Sequence, residues 1–445
     1  MQVRARSQKK LRVFALSVSL ICWAVSSQAV TVARVWSHQG QEAENRAVLE
    51  IAKAFNAAHR DCGWAVELTF FPDFQYTEKL AVAAAARDLP DAFDLDGPLV
   101  ARFVGAGLLA EMGGVFSRDE LADFLPTIVA QGTIDGRLYA LGSFDSALVL
   151  YYDREMFSRA GVEAPVDARG WTWAEFVAAC EKLKTAGIEP VSLHMNESAD
   201  EWFTYAFSPV VWSGGGELID VEAARVRGVL ASEQNVRSLQ TWQELFVHGF
   251  AATDPVEPDP FGQGKTAMDW SGHWMARSHL AAKGKKLGAM PLPVIEKPAA
   301  ACGSWCWAVS ARTEKRQVAE AWLRWVTDSK TGVAPMVRAN GAVPSRKSAF
   351  AEFPEYAEVP YRVFKTQSET ARPRPRTAFY ATLTRSFAAA LRDISRGADV
   401  AARLKKAEEE VQRVIERKEG EGRRAKGHGA GDGASVVPTA VEGGL

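Results

Sequence analysis

Apolar and polar residues recur along this chain with two periods. Positions 30–37 (VTVARVWS) form an apolar run of strand length, and Val48, Ile51, Ala52 and Phe55 then fall on one face of a helix. A second strand-like run follows at 65–71 (AVELTFF), then an alanine-rich helical stretch from Glu78 to Arg87, then DAFDLD at 91–96. Strand and helix in regular succession predict a doubly wound parallel α/β sheet. ALVLYYD at 147–153 opens a second unit. Its best-marked helix is TWAEFVAACEKLKTAG (172–187): Thr172 and Glu175 form a capping box, Trp171 is placed to staple onto Phe176, and Gly187 stops the helix. Further amphipathic helices are predicted after Ser232 (Val236, Leu239 and Phe246 inward), after Thr313 (Val318, Ala321, Trp322 and Trp325) and over Val400, Leu404, Ala407, Val411 and Ile415. Beyond Lys418 glycine and charge replace the period, so 419–445 is predicted to be a disordered tail.

The first 29 residues follow neither period. Arg4, Arg6, Lys9, Lys10 and Arg12 precede an apolar run from Val13 to Val25, and Ser27-Gln28-Ala29 has the small residues of a cleavage site. That order predicts a secretory signal peptide over 1–29 and a periplasmic protein. The run is shorter than the ~18 residues a membrane-spanning helix needs. Cys22 follows Ile21, where lipid attachment would want a small residue.

The 445 residues suggest two or three domains at about 150 residues each. Once the five leader bases are removed from 53 lysines and arginines, 54 acids leave a net charge of −6. A mildly acidic surface argues against a nucleic-acid partner and against general binding to anionic membranes. The four remaining cysteines, Cys62, Cys180, Cys302 and Cys306, are too few for a disulfide scaffold. On an extended segment Cys302 and Cys306 would stand about 13 Å apart, too far to pair.

Enzyme signatures are missing from the sequence. GQGKT (262–266) lacks the leading glycine of a phosphate loop, since Asp259 stands there, and no G-x-S-x-G elbow occurs. The seven histidines form neither H-E-x-x-H nor a metal-spaced pair beside cysteine, so no metal or cofactor is expected. Asp94 and Asp96 lie two apart on a strand and face one side. Such a pair, with Asp145, would serve a glycoside-cleaving enzyme, but acids at a strand's carboxyl end more often hydrogen-bond a ligand in the crevice there. The informative excess is the 14 tryptophans. Trp36, Trp202, Trp212, Trp270, Trp274, Trp305 and Trp307 sit in Gly/Ser-rich or loop-like surroundings. An indole beside carboxylates and amides suits a sugar, covering its apolar face while the polar groups bond its hydroxyls.

These segments together resemble the carbohydrate-binding group of bacterial ABC-importer solute-binding proteins. The resemblance spans Thr31 to Arg417 and is carried by DAFDLDGPLVARFVGAGLLAEM (91–112), DGRLYALGSFDSALVLYYDREMFSRAG (135–161), WTWAEFVAACEKL (171–183), GKTAMDWSGHWM (264–275), GSWCWAVSARTEKRQVAEAWLRWV (303–326) and NGAVPSRKSAF (340–350). It implies a two-lobed, hinged α/β protein, each lobe a mainly parallel sheet flanked by helices. Lobe 1 would take 30–142 and 288–340, and lobe 2 would take 143–287 and 341–418. It also implies a sugar-like ligand in the cleft, a membrane permease as partner, a monomer, and no catalysis. Carried over by position, the ligand contacts would be Trp36, Ser37 and His38; Asp94 and Asp96; Phe144 and Asp145; Asp200, Glu201 and Trp202; Trp270 and Trp274; Gly303, Ser304 and Trp305; and Arg376 and Tyr380. His273 and Leu95 depart from the group's pattern, which argues against maltose itself. A non-sugar solute such as a polyol, an amino-sugar acid or an oligopeptide stays open as the alternative.

Overall fold

The computed structural model describes residues 29–165, 170–303 and 305–428. The predicted signal peptide, Ser304 and everything after His428 therefore lie outside the described residues, apart from Ala29.

Two sheets organise the chain. In the first, Thr31–Gln39 lies between Trp64–Pro72 and Ala92–Asp96, all three parallel. Trp305–Val309 and Ala140–Gly142 complete that sheet. The helix Glu42–Ala58 covers it with Val48, Ile51, Ala52 and Phe55, the face its periodicity marked. The second sheet has the order Leu287–Met290, Leu148–Asp153, Thr266–Gly272, Glu189–Ser192. Each sheet sits in its own apolar core.

Both sheets are mixed, not mainly parallel. Trp305–Val309 runs antiparallel to both its neighbours, and Leu148–Asp153 to both of its own. The cause is the repeated crossing. A strand entering a lobe from the hinge starts at the cleft edge, whereas the strands it pairs with run back toward that edge.

The crossings also depart from the expected boundaries. Leu287–Met290 belongs to the second sheet, and Ala299 and Ala301 to that lobe's core, so the chain re-enters the first lobe at Gly303 and not at 288. After Gly341, the chain still supplies Ala349, Phe353 and Tyr356 to the first core. Where the first and third crossings pass, Phe144–Asp145 pairs with Val343–Pro344. The last helix, Val400–His428, runs ten residues into the stretch expected to be disordered. Once nucleated, a helix propagates cheaply through residues such as Glu, Arg, Ala and Lys.

Local signals fared well, with one exchange of partners. Thr172 and Glu175 form the capping box and Ser232 caps Glu233–Val247. Trp171, however, stacks on Phe157, and it is Trp173 that meets Phe176 edge-on at 5.5 Å.

Candidate functional site

The crevice between the lobes brings buried charged side chains of both lobes together. On the first lobe, parallel pairing brings the ends of Thr31–Gln39 and Ala92–Asp96 to one edge. Asp94, almost wholly buried, accepts hydrogen bonds from Ser37 Oγ (2.6 Å) and the His38 amide (3.0 Å), and its Oδ2 lies 2.8 Å from His38 Nδ1. The imidazole so fixed lies flat on Trp305, with centroids 3.7 Å apart and planes 9° apart. Asp94 is thus a support for His38, and His38 covers one face of the Trp305 indole.

Two residues along the strand, Asp96 reaches across the crevice. Its carboxylate takes a two-pronged pair of bonds from Arg374, Nη2–Oδ1 at 2.6 Å and Nη1–Oδ2 at 3.0 Å. Arg374 also bonds Glu201 on its own lobe, and Tyr380 Oη donates to the same Glu201 oxygen at 2.6 Å. The Tyr205 ring lies 5.0 Å from the guanidinium. Burial opposes the charge on Arg374, but Asp96 and Glu201 outweigh it and hold the group well above the usual arginine range. Burial pushes the Glu201 carboxyl up to about 7, with Asp96 adding and Arg374 and Tyr380 opposing.

Gly303 makes this packing possible. Its φ of +147° is a glycine conformation, and a Cβ there would sit 2.7 Å from Arg374 Nη2. Its amide donates to Asp145 Oδ1 at 3.1 Å. Asp145, fully buried, also accepts from Thr127 Oγ1 (2.5 Å) and the Ser146 amide (2.8 Å). It is a hinge clamp, closed off from the crevice by its own partners, and burial raises its carboxyl above the usual range.

The aromatic wall belongs to the second lobe. Trp274 meets Trp202 edge-on (6.3 Å) and Tyr205 at a tilt (6.0 Å). Its carbonyl accepts from Gln41 Nε2 of the first lobe at 3.1 Å. Gly272 must lack a side chain, because a Cβ would lie 2.0 Å from the Trp274 ring. Tyr205 Oη donates to Ser146 Oγ (2.9 Å), which lies 3.2 Å from His273 Nδ1. Burial pushes His273 down to about 3, so it stands neutral. Phe144 is buried with its ring edge-on to His273.

Several expected contacts lie elsewhere. Trp270 is a core residue, 1 % exposed, with its Nε1 donating to Ala206 O. Trp36 packs on Phe71. Asp200 pairs with Arg392 beside the helix it opens, not with the cleft cluster. Arg376 straps the lobes by donating from Nη1 to the carbonyls of Ala130 (2.6 Å) and Thr133 (2.7 Å), so that nitrogen is spent on backbone. Arg374 and Gln41 were not anticipated. The R-P-R-P-R run 372–376 did signal an extended segment bearing arginines at alternate positions. Arg372 turns to Glu217, Arg374 to the crevice and Arg376 to the opposite lobe's backbone, a choice set by packing across the cleft. Among the described residues no group of three His, Cys, Asp or Glu is arranged to hold a metal ion.

Comparisons with known proteins give the family and the fold. A family model for bacterial extracellular solute-binding proteins matches residues 50–361. The chain is 29% identical over 190 residues to the sn-glycerol-3-phosphate-binding periplasmic protein UgpB of Agrobacterium fabrum, spanning 40% of this chain and 42% of that one. It is 25% identical over 303 residues to the maltodextrin-binding protein MdxE of Bacillus subtilis, spanning 64% of this chain and 70% of the relative. Its fold matches the cyclic alpha-maltosyl-1,6-maltose binding protein of Arthrobacter globiformis with a TM-score of 0.76, at 23% identity, covering 87% of this chain and 99% of that one.

Proposed function

The chain belongs to the bacterial extracellular solute-binding proteins, and from that premise we propose that it captures a sugar or sugar-like solute between its lobes and passes it unchanged to an ABC import permease. The observation that carries this reading is the Asp96–Arg374–Glu201–Tyr380 cluster, drawn from both lobes and set beside Trp274 and Trp305. Fixed carboxylates and a guanidinium bond hydroxyls, and indoles cover the apolar faces of a sugar ring. A solute touching both lobes favours their closed arrangement by its differential affinity, and the closed form is what a permease would read. These groups hold a ligand in its ground state, which does not accelerate a reaction. The ligand contacts in this reading are His38, Asp96, Glu201, Trp202, Trp274, Trp305, Arg374 and Tyr380. After loss of the leader the protein works as a monomer in the periplasm. Similarity to the maltodextrin-binding relative, which covers more of both chains than the glycerol-3-phosphate one, supports a carbohydrate.

The test is tryptophan fluorescence with thermal shift of the mature protein against mono- and disaccharides and polyols. A saturable shift with one sugar, with that sugar recovered intact, is expected. Consumption of the sugar, or no response across the whole panel, would overturn the reading.

A further inference from the structure

Beside the hinge the first lobe contains a second, smaller hollow, with room for little more than one water-sized group. It is lined by Glu44, Asn45 and Ser143 together with Asp94, Phe144 and Trp305. Three of those side chains have polar atoms with no partner. Glu44 Oε1, Asn45 Oδ1 and Ser143 Oγ are all shielded from solvent and unbonded. The Asn45 amide is oriented by its Nδ2, which donates to Gly40 O at 3.0 Å, so the carbonyl oxygen is the end left over. The Glu44 carboxylate is more than nine-tenths buried and lies tight against Gly40, where a Cβ would meet its Oε2 at 2.4 Å. A hinge-side pocket with three unpaired oxygens is costly to leave as it stands.

From this arrangement we infer that the solute is an amine-bearing sugar whose protonated primary amine enters the hollow and donates to Glu44, Asn45 and Ser143. This rests on the solute-capture reading above and narrows its ligand. An ammonium has three donors and no acceptor, and it is about the size of water. A hydroxyl brings one donor, and Ser143 can turn its own O–H to a neighbouring oxygen, but neither supplies the positive charge that would balance the buried Glu44 carboxylate. The wider crevice points the same way. Glu44, Asp94 and Asp96 stand against Arg374 and at most a charged His38, and Arg374 is already held by Asp96 and Glu201. An anionic solute would have to displace them. Burial raises the Glu44 carboxyl above its usual range, with Asp94 adding, while His38 and the neighbouring Asn340 amide and Gln41 backbone oppose it.

The experiment compares matched pairs by calorimetry at about pH 6, where such an amine is charged: glucosamine with glucose, and the β-1,4 disaccharide of glucosamine with cellobiose, with glycerol 3-phosphate as the anion. In the native protein the amine member of a pair should bind about tenfold tighter, the size of one charge-assisted hydrogen bond. Glu44→Gln should bring the ratio close to one and leave the neutral sugar's affinity within about twofold. Equal affinities in the native protein, a ratio that survives Glu44→Gln, or preference for the phosphate would overturn the inference while sugar capture stands. Saturable binding by no member of the set would count against both. Should Glu44→Gln fail to fold, Asn45→Asp adds a charge to the same hollow and should raise the ratio; an unchanged ratio would overturn the inference.

Discussion

The hinge and the mouth of the cleft each bury carboxylates, and they satisfy them in opposite ways. At the hinge Asp145 is held by three neutral donors from Thr127, Ser146 and Gly303, all close to the point about which the lobes turn. At the mouth Asp96 is held by a full positive charge that belongs to the other lobe. Rotation hardly disturbs the first set and must break the second. A carboxylate bonded by its own hinge keeps the joint intact through the motion. A carboxylate bonded across the gap makes closure a weighed equilibrium, which a bound solute can tip.

The largest effect that tests this contrast is at Arg374. Arg374→Met strands Asp96 and Glu201 together and should cost about 3 kcal/mol of unfolding stability, or drive the lobes apart instead. The figure sits at the low end for a broken buried pair because Asp96 and Glu201 keep 20% and 31% of their side chains open to solvent. Denaturant unfolding with small-angle scattering separates the two outcomes. Neither loss of stability nor opening would show the bridge to be idle. Next, Asp145→Asn should lower stability by about 2 kcal/mol, since its donors lose a charged acceptor. It should leave the scattering radius of the folded form unchanged; a more open form would place Asp145 with the cleft groups after all. Trp274→Ala should weaken the sugar identified by the fluorescence panel by about 1–2 kcal/mol with little change in melting temperature. The reverse pattern would make Trp274 a packing residue like Trp270.

The smallest effect is a slope. Glu201's carboxyl is raised from its ordinary 4.5 to about 7 in the fold, so the folded chain holds that proton more tightly than the unfolded one. Its contribution is fully present below about pH 4.5 and is lost as pH rises toward about 7. Glu201→Gln should therefore flatten the fall in melting temperature across that window. An unchanged slope would move the titration to another group.

Much of the architecture was legible in the pattern of side chains, because amphipathic periods and caps are local. The helix faces at 42–58 and 400–415 and the capping box at Thr172 needed only neighbours a few residues away. The site was less legible. Trp270 and Trp274 share one short motif, yet a strand buried along its whole length takes the first into the core and the turn after Gly272 places the second at the cleft. Asp94 and Asp96 differ by two residues, but one props up His38 and the other spans the lobes. Arg374 and Arg376 are told apart only by what lies across a gap of more than 200 residues in sequence. Such choices are made by tertiary packing, and no local period encodes them.

The order of strands in the first sheet has a further consequence. Trp305–Val309 lies between Ala92–Asp96 and Ala140–Gly142, so the sheet has a gap in it until residue 309 has been made. Pairings over such separations are slow to form. The nascent amino-terminal half must therefore wait, unfinished, for a segment translated long after it. Until that segment arrives the first-made lobe keeps an open seam in its sheet, so the two ends of the lobe's chain are tied together by its latest strand.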